Sequence, residues 1–257
     1  MAAAGGRLDG KAAIVTGAGS GFGEGIARRF AAEGAKVVVA DINEQGGRRV
    51  ADAISAAGGT ARFVAADVAE AAANQAMIKA ARDAYGGLDV IVLNAAIGMS
   101  PTPLVDTPDE FFDRIFRINV RSVFLGCKHA VPAMRARGGG SIIVTVSTAA
   151  LRPRPNLAVY NATKGALVPL CRALALEVAG AGIRVNGICP VAGETAMLSD
   201  FLGGADPEAG RKAFIATVPM GRLSRPADVA AAAVFFADDD SAFITGTMLE
   251  VDGGRCI

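Results

Sequence analysis

The sequence contains no tryptophan and only one histidine, His129, among its 257 residues. A single histidine cannot form a metal site built from several histidines, and no cysteine or acidic cluster surrounds it in the sequence. The chain also lacks a CxxC pair, since its cysteines are widely separated: Cys127, Cys171, Cys189 and Cys256. This pattern is typical of reduced cysteines in a cytoplasmic protein, and it predicts no bound metal.

Two further classes of protein are disfavoured by charge and hydropathy. The 26 basic and 25 acidic residues give a net charge of +1, and no basic run is longer than a pair of arginines. We therefore expect no nucleic-acid partner. No uncharged apolar stretch reaches membrane-spanning length, so we expect no membrane partner. Met1–Gly6 lacks the apolar segment of a signal peptide, which also favours a cytoplasmic location.

Apolar, β-branched runs alternate with helical patterns along the chain. The strand candidates are Ala12–Thr16, Lys36–Ala40, Ala61–Ala65, Val90–Leu93, Ile142–Val146, Arg184–Ile188 and Met248–Val251. The helix candidates are Gly23–Glu33, Glu44–Ala57, Ala71–Tyr85, Pro108–Arg137, Leu157–Ala179 and Ala227–Ala237. This order predicts an α/β fold with a doubly wound parallel sheet of the Rossmann type, about seven strands and helices on both faces.

No linker or repeat divides the chain, so we expect residues 1–257 to form a single domain. The least regular region is Val191–Pro219, which is rich in glycine and carries several apolar residues. We interpret this region as a lid over the active site. A plain surface excursion is the alternative.

A glycine-rich segment, Thr16–Gly23, follows the first strand candidate and opens a helix. Glycines allow a tight turn and let a pyrophosphate approach the N-terminus of the helix. The predicted cofactor contacts of that turn are Gly17, Ser20, Gly21, Phe22 and Gly23. The segment therefore predicts a dinucleotide site.

The second strand candidate is followed by Asp41. A carboxylate there accepts hydrogen bonds from the adenosine ribose hydroxyls and repels a 2′-phosphate, which favours NAD over NADP. The alternative is that Asp41 caps the next helix.

Asp67 and Val68 are predicted to contact the adenine, with helix capping as the alternative for Asp67. Asn94-Ala95 follows the fourth strand candidate, where the backbone should pass close to the cofactor.

Tyr160 and Lys164 are four residues apart in a predicted helix, so their side chains share one face. A phenol is a weak base at neutral pH, and a nearby ammonium group lowers its pKa. Together with the dinucleotide turn, the pair indicates hydride transfer in which a tyrosine moves the proton.

Taken in order, these motifs resemble the short-chain dehydrogenase/reductase family in its compact single-domain form, from about Leu8 to Gly254. The family's glycine motif, its NAG segment (with Ala96 for the usual glycine) and its catalytic residues have counterparts here. The catalytic set falls on Asn119, Ser147, Tyr160 and Lys164.

The resemblance implies a role for each of these four residues. Ser147 would hydrogen-bond the substrate oxygen, and Tyr160 would exchange the proton. Lys164 would lower the tyrosine pKa and hold the nicotinamide ribose. Asn119 would order a water that links Lys164 to solvent.

The same resemblance places Pro190 and Thr195 beside the nicotinamide. Val191 replaces the usual glycine after Pro190 and predicts an altered turn, because valine does not readily take up glycine-only dihedrals. Family members of this size are usually tetramers, so we expect a homo-oligomer.

The substrate pocket is expected to have an apolar wall formed by Ile97, Met99, Leu151, Met197 and Leu198. Arg152 and Arg154 are candidates to bind an anionic group of the substrate, and solvent or a neighbouring subunit is the alternative partner. The predicted function is NAD-dependent interconversion of a secondary alcohol and a ketone. The alternatives are a 3-oxoacyl thioester reductase and a dinucleotide-binding protein without turnover.

Overall fold

The computed structural model describes residues 6–202 and 206–257. Within these ranges seven parallel strands form one sheet in the order β3-β2-β1-β4-β5-β6-β7. The strands are β1 Ala12–Thr16, β2 Lys36–Asp41, β3 Thr60–Ala65, β4 Val90–Leu93, β5 Gly140–Thr145, β6 Ile183–Pro190 and β7 Met248–Val251. The strand order reverses between β1 and β4, which are neighbours, and ligands of such sheets bind at this switch point.

Helices cover both faces of this sheet, as predicted. They are α1 Gly21–Ala32, α2 Glu44–Ala56, α3 Ala71–Tyr85, α4 Asp109–Phe116, α5 Ser122–Arg137, α6 Ala158–Val178, α7 Leu198–Leu202, α8 Pro207–Ile215 and α9 Pro226–Ala237. The predicted strands are confirmed with ends that differ by no more than a few residues. Among the described helices, none is long and apolar enough to cross a membrane.

Two apolar cores, one on each face of the sheet, explain why the strands are almost continuously apolar. Along β1, Ala13 and Val15 face the core that also contains α1, α2 and α9 residues. Ile14 between them faces the second core, which contains residues of α3, α5 and α6. A strand covered on both faces has no polar side, so alternation disappears from its sequence.

The predicted helical stretch over Pro108–Arg137 is confirmed as unbroken helical backbone from Asp109 to Arg137. Within it, a five-residue π-helical turn at Arg117–Arg121 connects α4 to α5. Residues 203–205, which include two glycines of the predicted lid (Gly203 and Gly204), lie outside the described ranges. The rest of that segment contains α7 and α8.

Candidate active site

A cleft of about 430 Å³ opens at the carboxyl ends of the strands, where the sheet topology places a ligand. Nearly all of the predicted site residues line it. These are Gly17, Ser20, Gly21, Phe22, Asp41, Asp67, Val68, Asn94, Ala95, Ser147, Arg152, Arg154, Tyr160, Lys164, Pro190, Thr195 and Met197. Gly23 and Asn119 are not on the lining, and their surroundings show positioning roles.

The glycine turn is closely packed against itself. A Cβ atom on Gly23 would lie 2.1 Å from the carbonyl oxygen of Gly17 and 2.7 Å from Asn94 Nδ2. Gly17 has a φ of +62°, in the left-handed region that favours glycine. Ser20 precedes α1, so the turn leads directly into the positive end of that helix. The backbone here forms a cradle that side chains would fill.

Asp41 is held in place by the turn. Its Oδ2 accepts the Gly19 N–H at 2.8 Å, and its Oδ1 accepts the Asn43 N–H at 2.8 Å. The residue that caps α2 is Asn43, whose side chain accepts the Gly46 N–H. The capping alternative for Asp41 is therefore wrong. Each carboxylate oxygen keeps a further acceptor site for a ligand hydroxyl.

A basic residue close to this carboxylate is already paired. Arg49 Nη2 donates to the Gly19 carbonyl at 3.0 Å and lies 2.5 Å from Glu24 Oε2. Its charge is thus balanced by Glu24, and it adds little attraction for a 2′-phosphate beside Asp41.

Asp67 also has protein partners. Its Oδ1 accepts the Ala69 N–H at 3.0 Å, and Arg117 Nη2 lies 3.4 Å from its Oδ2. The residue immediately before α3 is Glu70. Asp67 therefore stabilises the turn ahead of the helix while remaining on the lining of the cleft.

Asn94 joins the ends of three strands. Its Nδ2 donates to the carbonyls of Thr16 at 3.0 Å and Gly17 at 3.3 Å, and its Oδ1 accepts from Thr145 Oγ1 at 3.2 Å. The side chain thereby fixes the glycine turn to β4 and β5.

Tyr160 and Lys164 lie side by side on α6, as their spacing predicts. Lys164 Nζ donates to the Thr145 carbonyl at 2.9 Å and lies 6.0 Å from the centre of the Tyr160 ring. Burial raises the pKa of Tyr160 to about 12, and a hydrogen bond with Ser147 acts in the opposite direction. Burial lowers the pKa of Lys164 to about 8. In the protein alone, the effect of burial on the pKa of Tyr160 outweighs the effect of the neighbouring groups. The family resemblance implies a lowered pKa for Tyr160, and this lowering requires a further positive charge.

Ser147 stands where β5 ends, with its hydroxyl at the cleft. Its Oγ accepts the Ala149 N–H at 3.0 Å, which caps the short helical turn Thr148–Ala150. A hydroxyl that accepts one hydrogen bond still has its proton to donate. The capping role and a role in substrate binding are therefore compatible.

Asn119 occupies the centre of the π-helical turn and is buried. Its amide accepts the Ile97 N–H at 2.9 Å and donates to the Ile97 carbonyl at 3.0 Å and to Thr163 Oγ1 at 3.3 Å. Asn119 therefore ties the loop after β4 to α6, one residue before Lys164. Irregular π turns of this kind are frequent at functional sites.

Val191 fits its turn without strain. Its N–H donates to the Val251 carbonyl at 3.2 Å, and its carbonyl accepts from Ser224 Oγ at 3.0 Å. Among the described non-glycine residues, Asn156 alone has a positive φ. Val191 therefore has no positive φ, and the expected difference from the family's glycine turn stays a prediction.

A position that has no room for a side chain lies two residues further along the chain, at Gly193. A Cβ there would lie 2.2 Å from Cζ of the Phe22 ring, which belongs to the cofactor turn. A Cβ on Gly21 would likewise lie 3.2 Å from Cγ2 of Thr195. The loop after β6 thus packs directly on the glycine turn.

The substrate end of the cleft differs in part from the predicted wall. Ile97, Met197 and Leu198 line it, whereas Met99 is buried in a cluster with Tyr160 and Leu151 is 39 % exposed outside the lining. Three other side chains complete this end of the cleft: Phe201, Phe214 and Arg255. No local motif marks Arg255, because it reaches the site from the C-terminal segment.

The residues of this cleft match a known protein family. The family profile described as Enoyl-(Acyl carrier protein) reductase matches residues 17–255. The chain belongs to the short-chain dehydrogenase/reductase family. The resemblance seen in the motifs is thereby confirmed, and the protein is an oxidoreductase that uses a nicotinamide dinucleotide.

Several family members are similar over almost their whole length. The 4-formylbenzenesulfonate dehydrogenase TsaC1/TsaC2 of Comamonas testosteroni is 43 % identical over 250 residues, covering 97 % of this chain and 99 % of the relative. A 3-ketoacyl-(acyl-carrier-protein) reductase from Brucella melitensis, solved with NADH, is 46 % identical with a TM-score of 0.91, covering 97 % and 100 %. A 7α-hydroxysteroid dehydrogenase, solved with NADH and 7-oxo glycochenodeoxycholic acid, is 37 % identical with a TM-score of 0.89, covering 96 % and 95 %.

Proposed function

We propose that this short-chain dehydrogenase/reductase interconverts a secondary alcohol and a ketone with NAD(H), using Tyr160 as the general acid or base. The observation that carries this proposal is the shared cleft. It joins Ser147, Tyr160 and Lys164 to the glycine turn and to Asp41. Two similar structures solved with NADH support the choice of cofactor.

When bound, the cofactor accepts or supplies the hydride. The protein's part is to move the proton and to stabilise charge. Tyr160 takes the proton of the alcohol hydroxyl during oxidation and returns it to the carbonyl oxygen during reduction. Ser147 donates a hydrogen bond to that same oxygen. Lys164 supplies positive charge beside the phenol, and Asn119 positions the helix that carries both groups.

The residues of the cleft fit NAD. Gly17, Ser20, Gly21 and Phe22 form the cradle for the pyrophosphate, and Gly23 keeps this cradle open. Asp41 would accept hydrogen bonds from the hydroxyls of the adenosine ribose. The remaining cofactor contacts proposed are Asp67 and Val68 at the adenine, and Asn94, Ala95, Pro190 and Thr195 toward the nicotinamide.

The experiment that tests the mechanism replaces Tyr160 by Phe. Loss of the proton carrier should lower turnover roughly 10²–10⁴-fold. NADH binding, followed by cofactor fluorescence, should be retained. Tyr85 offers a matched control, because it donates to the Val37 carbonyl near the start of β2, at the opposite end of that strand from Asp41, and does not line the cleft. An unchanged rate in Tyr160→Phe, or an equal loss in Tyr85→Phe, contradicts the proposed role.

A 3-oxoacyl thioester reductase is the second candidate. It is supported by the 46 % identity to the enzyme from B. melitensis, which carries that name. Oxidation of NADH by a 3-oxoacyl thioester at a higher kcat/KM than by simple ketones would favour this alternative. A binding protein without turnover is disfavoured by the complete set of Asn119, Ser147, Tyr160 and Lys164.

The substrate end is assigned to Ser147, Tyr160, Arg152, Arg154 and Met197. The name of the C. testosteroni relative specifies a sulfonated substrate, which is consistent with arginines at this end.

We propose Val191–Pro219 as a lid. Its Phe201 ring contacts Tyr160 with 4.9 Å between ring centres.

We also propose a cytoplasmic homotetramer. Apolar side chains on α5, α6 and the C-terminal region are exposed in the single chain and suited to subunit contacts: Phe124, Leu176, Phe243 and Ile257. Sedimentation at equilibrium should give about four times the 26.0 kDa chain mass. A monomer mass at every concentration would contradict this assembly.

A further inference from the structure

Three arginines meet at the substrate end of the cleft around one aromatic ring. The guanidinium carbons of Arg154 and Arg255 lie 4.4 Å and 5.5 Å from the centre of the Phe214 ring. Arg152 joins the group by donating from Nη1 to the backbone carbonyl of Arg255. All four side chains line the cleft. The sequence brings Arg152 and Arg154 together, but only the fold adds Arg255.

These three arginines form no ion pair with an acidic side chain of the described residues, unlike Arg49, Arg137 and Arg222. Within residues 6–202 and 206–257, no carboxylate oxygen lies within 4.0 Å of a nitrogen of Arg152, Arg154 or Arg255. Asp252 is the acidic side chain nearest in the chain to Arg255. Its oxygens instead accept the backbone N–H groups of Gly254 and Cys256. The substrate end therefore carries three guanidinium groups without a direct ion pair, and the charge of Asp252 acts on Arg255 only from a distance.

Arg255 is the most confined of the three, with only 7 % of its surface exposed. Its Nε and Nη1 have no hydrogen-bond acceptor in the described part of the chain. Burial lowers the pKa of Arg255, and the nearby charge of Arg152 lowers it further. Burial, followed by the charge of Arg255, also lowers the pKa of Arg154. Buried N–H groups without acceptors are costly, so a ligand acceptor at this place would relieve a cost already present in the fold.

The chemistry of the missing acceptor follows from the guanidinium group. Its planar fork matches the paired oxygens of a carboxylate, sulfonate or phosphate. Phe214 stacks against two of the guanidinium groups and holds them without neutralising them. Phe201 and Met197 add an apolar wall to the same end of the cleft.

We propose that Arg152, Arg154 and Arg255 form an oxyanion-binding subsite, so that the substrate is an alcohol or ketone with an anionic oxo-acid group on an apolar body. This inference rests on the proposed function for the reaction itself, but the binding subsite stands on its own contacts. Arg255 is the specificity-determining member, because it is the buried arginine with unsatisfied donors.

The first arm of the test compares two substrates of the same shape. Turnover with NAD is measured for 4-(1-hydroxyethyl)benzoate and for the neutral 4-(1-hydroxyethyl)benzamide. The wild type should prefer the carboxylate. Arg255→Met should raise KM for the carboxylate roughly tenfold to a hundredfold, the usual weight of charged hydrogen bonds, and leave the benzamide within about twofold. Arg255→Lys should recover part of the loss, because it restores charge but not the fork.

A matched control is Arg48→Met. Arg48 also stacks on an aromatic ring, Phe63, at 5.1 Å, but it is exposed, paired with Glu44 and outside the cleft lining. It should leave both substrates unaffected. Equal kcat/KM for the two substrates in the wild type, or equal losses for both in Arg255→Met, would overturn the proposal in favour of a purely structural role.

The second arm needs no turnover, so it separates failure of the subsite from failure of the proposed function. Binding of benzoate, benzenesulfonate and phenyl phosphate is measured by calorimetry, with benzamide as the neutral probe. At least one oxyanion should bind more tightly than benzamide, and the tightest would identify the natural group. If Arg255→Met does not fold, the exposed Arg152→Met should still weaken that binding. Failure of every oxyanion to bind better than benzamide refutes the subsite, whatever the activity.

Discussion

At the cofactor end of the cleft, the charged side chains already have protein partners, whereas at the substrate end three guanidinium groups have no acidic partner in the described part of the chain. Asp41 accepts two backbone N–H groups, and Arg49 is paired with Glu24. Arg255, in contrast, keeps two buried nitrogens without acceptors. The first end is a preorganised cradle, so its affinity depends on shape and on a few acceptor sites. The second end keeps N–H donors that an anionic substrate group can satisfy.

The largest effect is expected when the shape of the cofactor end is changed. Gly23→Ala places a methyl group 2.1 Å from the Gly17 carbonyl oxygen, so the turn must shift. Forced overpacking costs about 1–3 kcal/mol of folding free energy, and NADH affinity should fall at least tenfold. Thermal unfolding and calorimetric titration with NADH measure the two effects.

The control for this variant is Gly180→Ala, since a Cβ on Gly180 meets no atom within 4 Å. It should retain NADH affinity and match or slightly exceed the wild type in stability. If Gly23→Ala bound NADH normally, the close packing of the cradle would not be what fits the cofactor.

A smaller effect is expected from the charge of the cofactor end. In Asp41→Ala, the ribose hydroxyls lose a charged acceptor, so KM for NAD should rise about tenfold. KM for NADP should fall, because the repulsion of the 2′-phosphate is removed. Asp52→Ala, an exposed change on α2, should leave both unchanged. An unaltered NAD/NADP ratio in Asp41→Ala would show that the carboxylate only supports the turn.

The smallest effect is a titration shift where the two ends meet. Burial raises the pKa of Tyr160 from 10.0 to about 12. The unfolded chain ionises Tyr160 at a lower pH than the folded protein does. The free energy of unfolding is therefore unaffected by this group below the unfolded-state pKa, and it decreases as the pH rises from there through the folded-state value. Tyr160 and Tyr85 are the two tyrosines in a chain without tryptophan, so ultraviolet difference spectra report tyrosinate directly.

Subtracting the Tyr160→Phe spectrum should isolate the Tyr160 signal. The protein alone should show no Tyr160 ionisation near the ordinary value, and added NAD⁺ should move ionisation to lower pH because of its positive ring. Tyr160 ionising at its ordinary pKa without cofactor would contradict the dominance of burial.

The two ends also differ in how well the sequence predicts them. The glycine turn, Asp41, Ser147 and the Tyr160–Lys164 pair are each marked by neighbours in the sequence or by their position at a strand end. The alternation of strands and helices therefore predicts where they meet. Asn119 shows the limit of this reasoning. The helical pattern around it is unbroken in the sequence, so neither the π turn at Arg117–Arg121 nor the hydrogen bonds of Asn119 to Ile97 and Thr163 could be predicted from it.

The substrate end depends on contacts between distant segments, which local patterns do not specify. Met99 and Leu151 are apolar and near the site in sequence, but Met99 is buried in the same cluster as Tyr160 and Leu151 is exposed. Arg255 and Phe214 reach the cleft through the course of the C-terminal segment and of α8. Composition alone gives no reason to pair them with Arg154.

The contact between Phe22 and Gly193 has a consequence for how this sequence can evolve. The ring fills the space that any side chain at position 193 would need. A mutation at either position alone is therefore unfavourable. Substitutions at the two positions should occur together, such as a smaller residue at 22 with a larger one at 193. Across descendants of this chain, the two positions should co-vary although they lie far apart in sequence. The cofactor turn and the first residues of the loop after β6 would then be inherited as one unit.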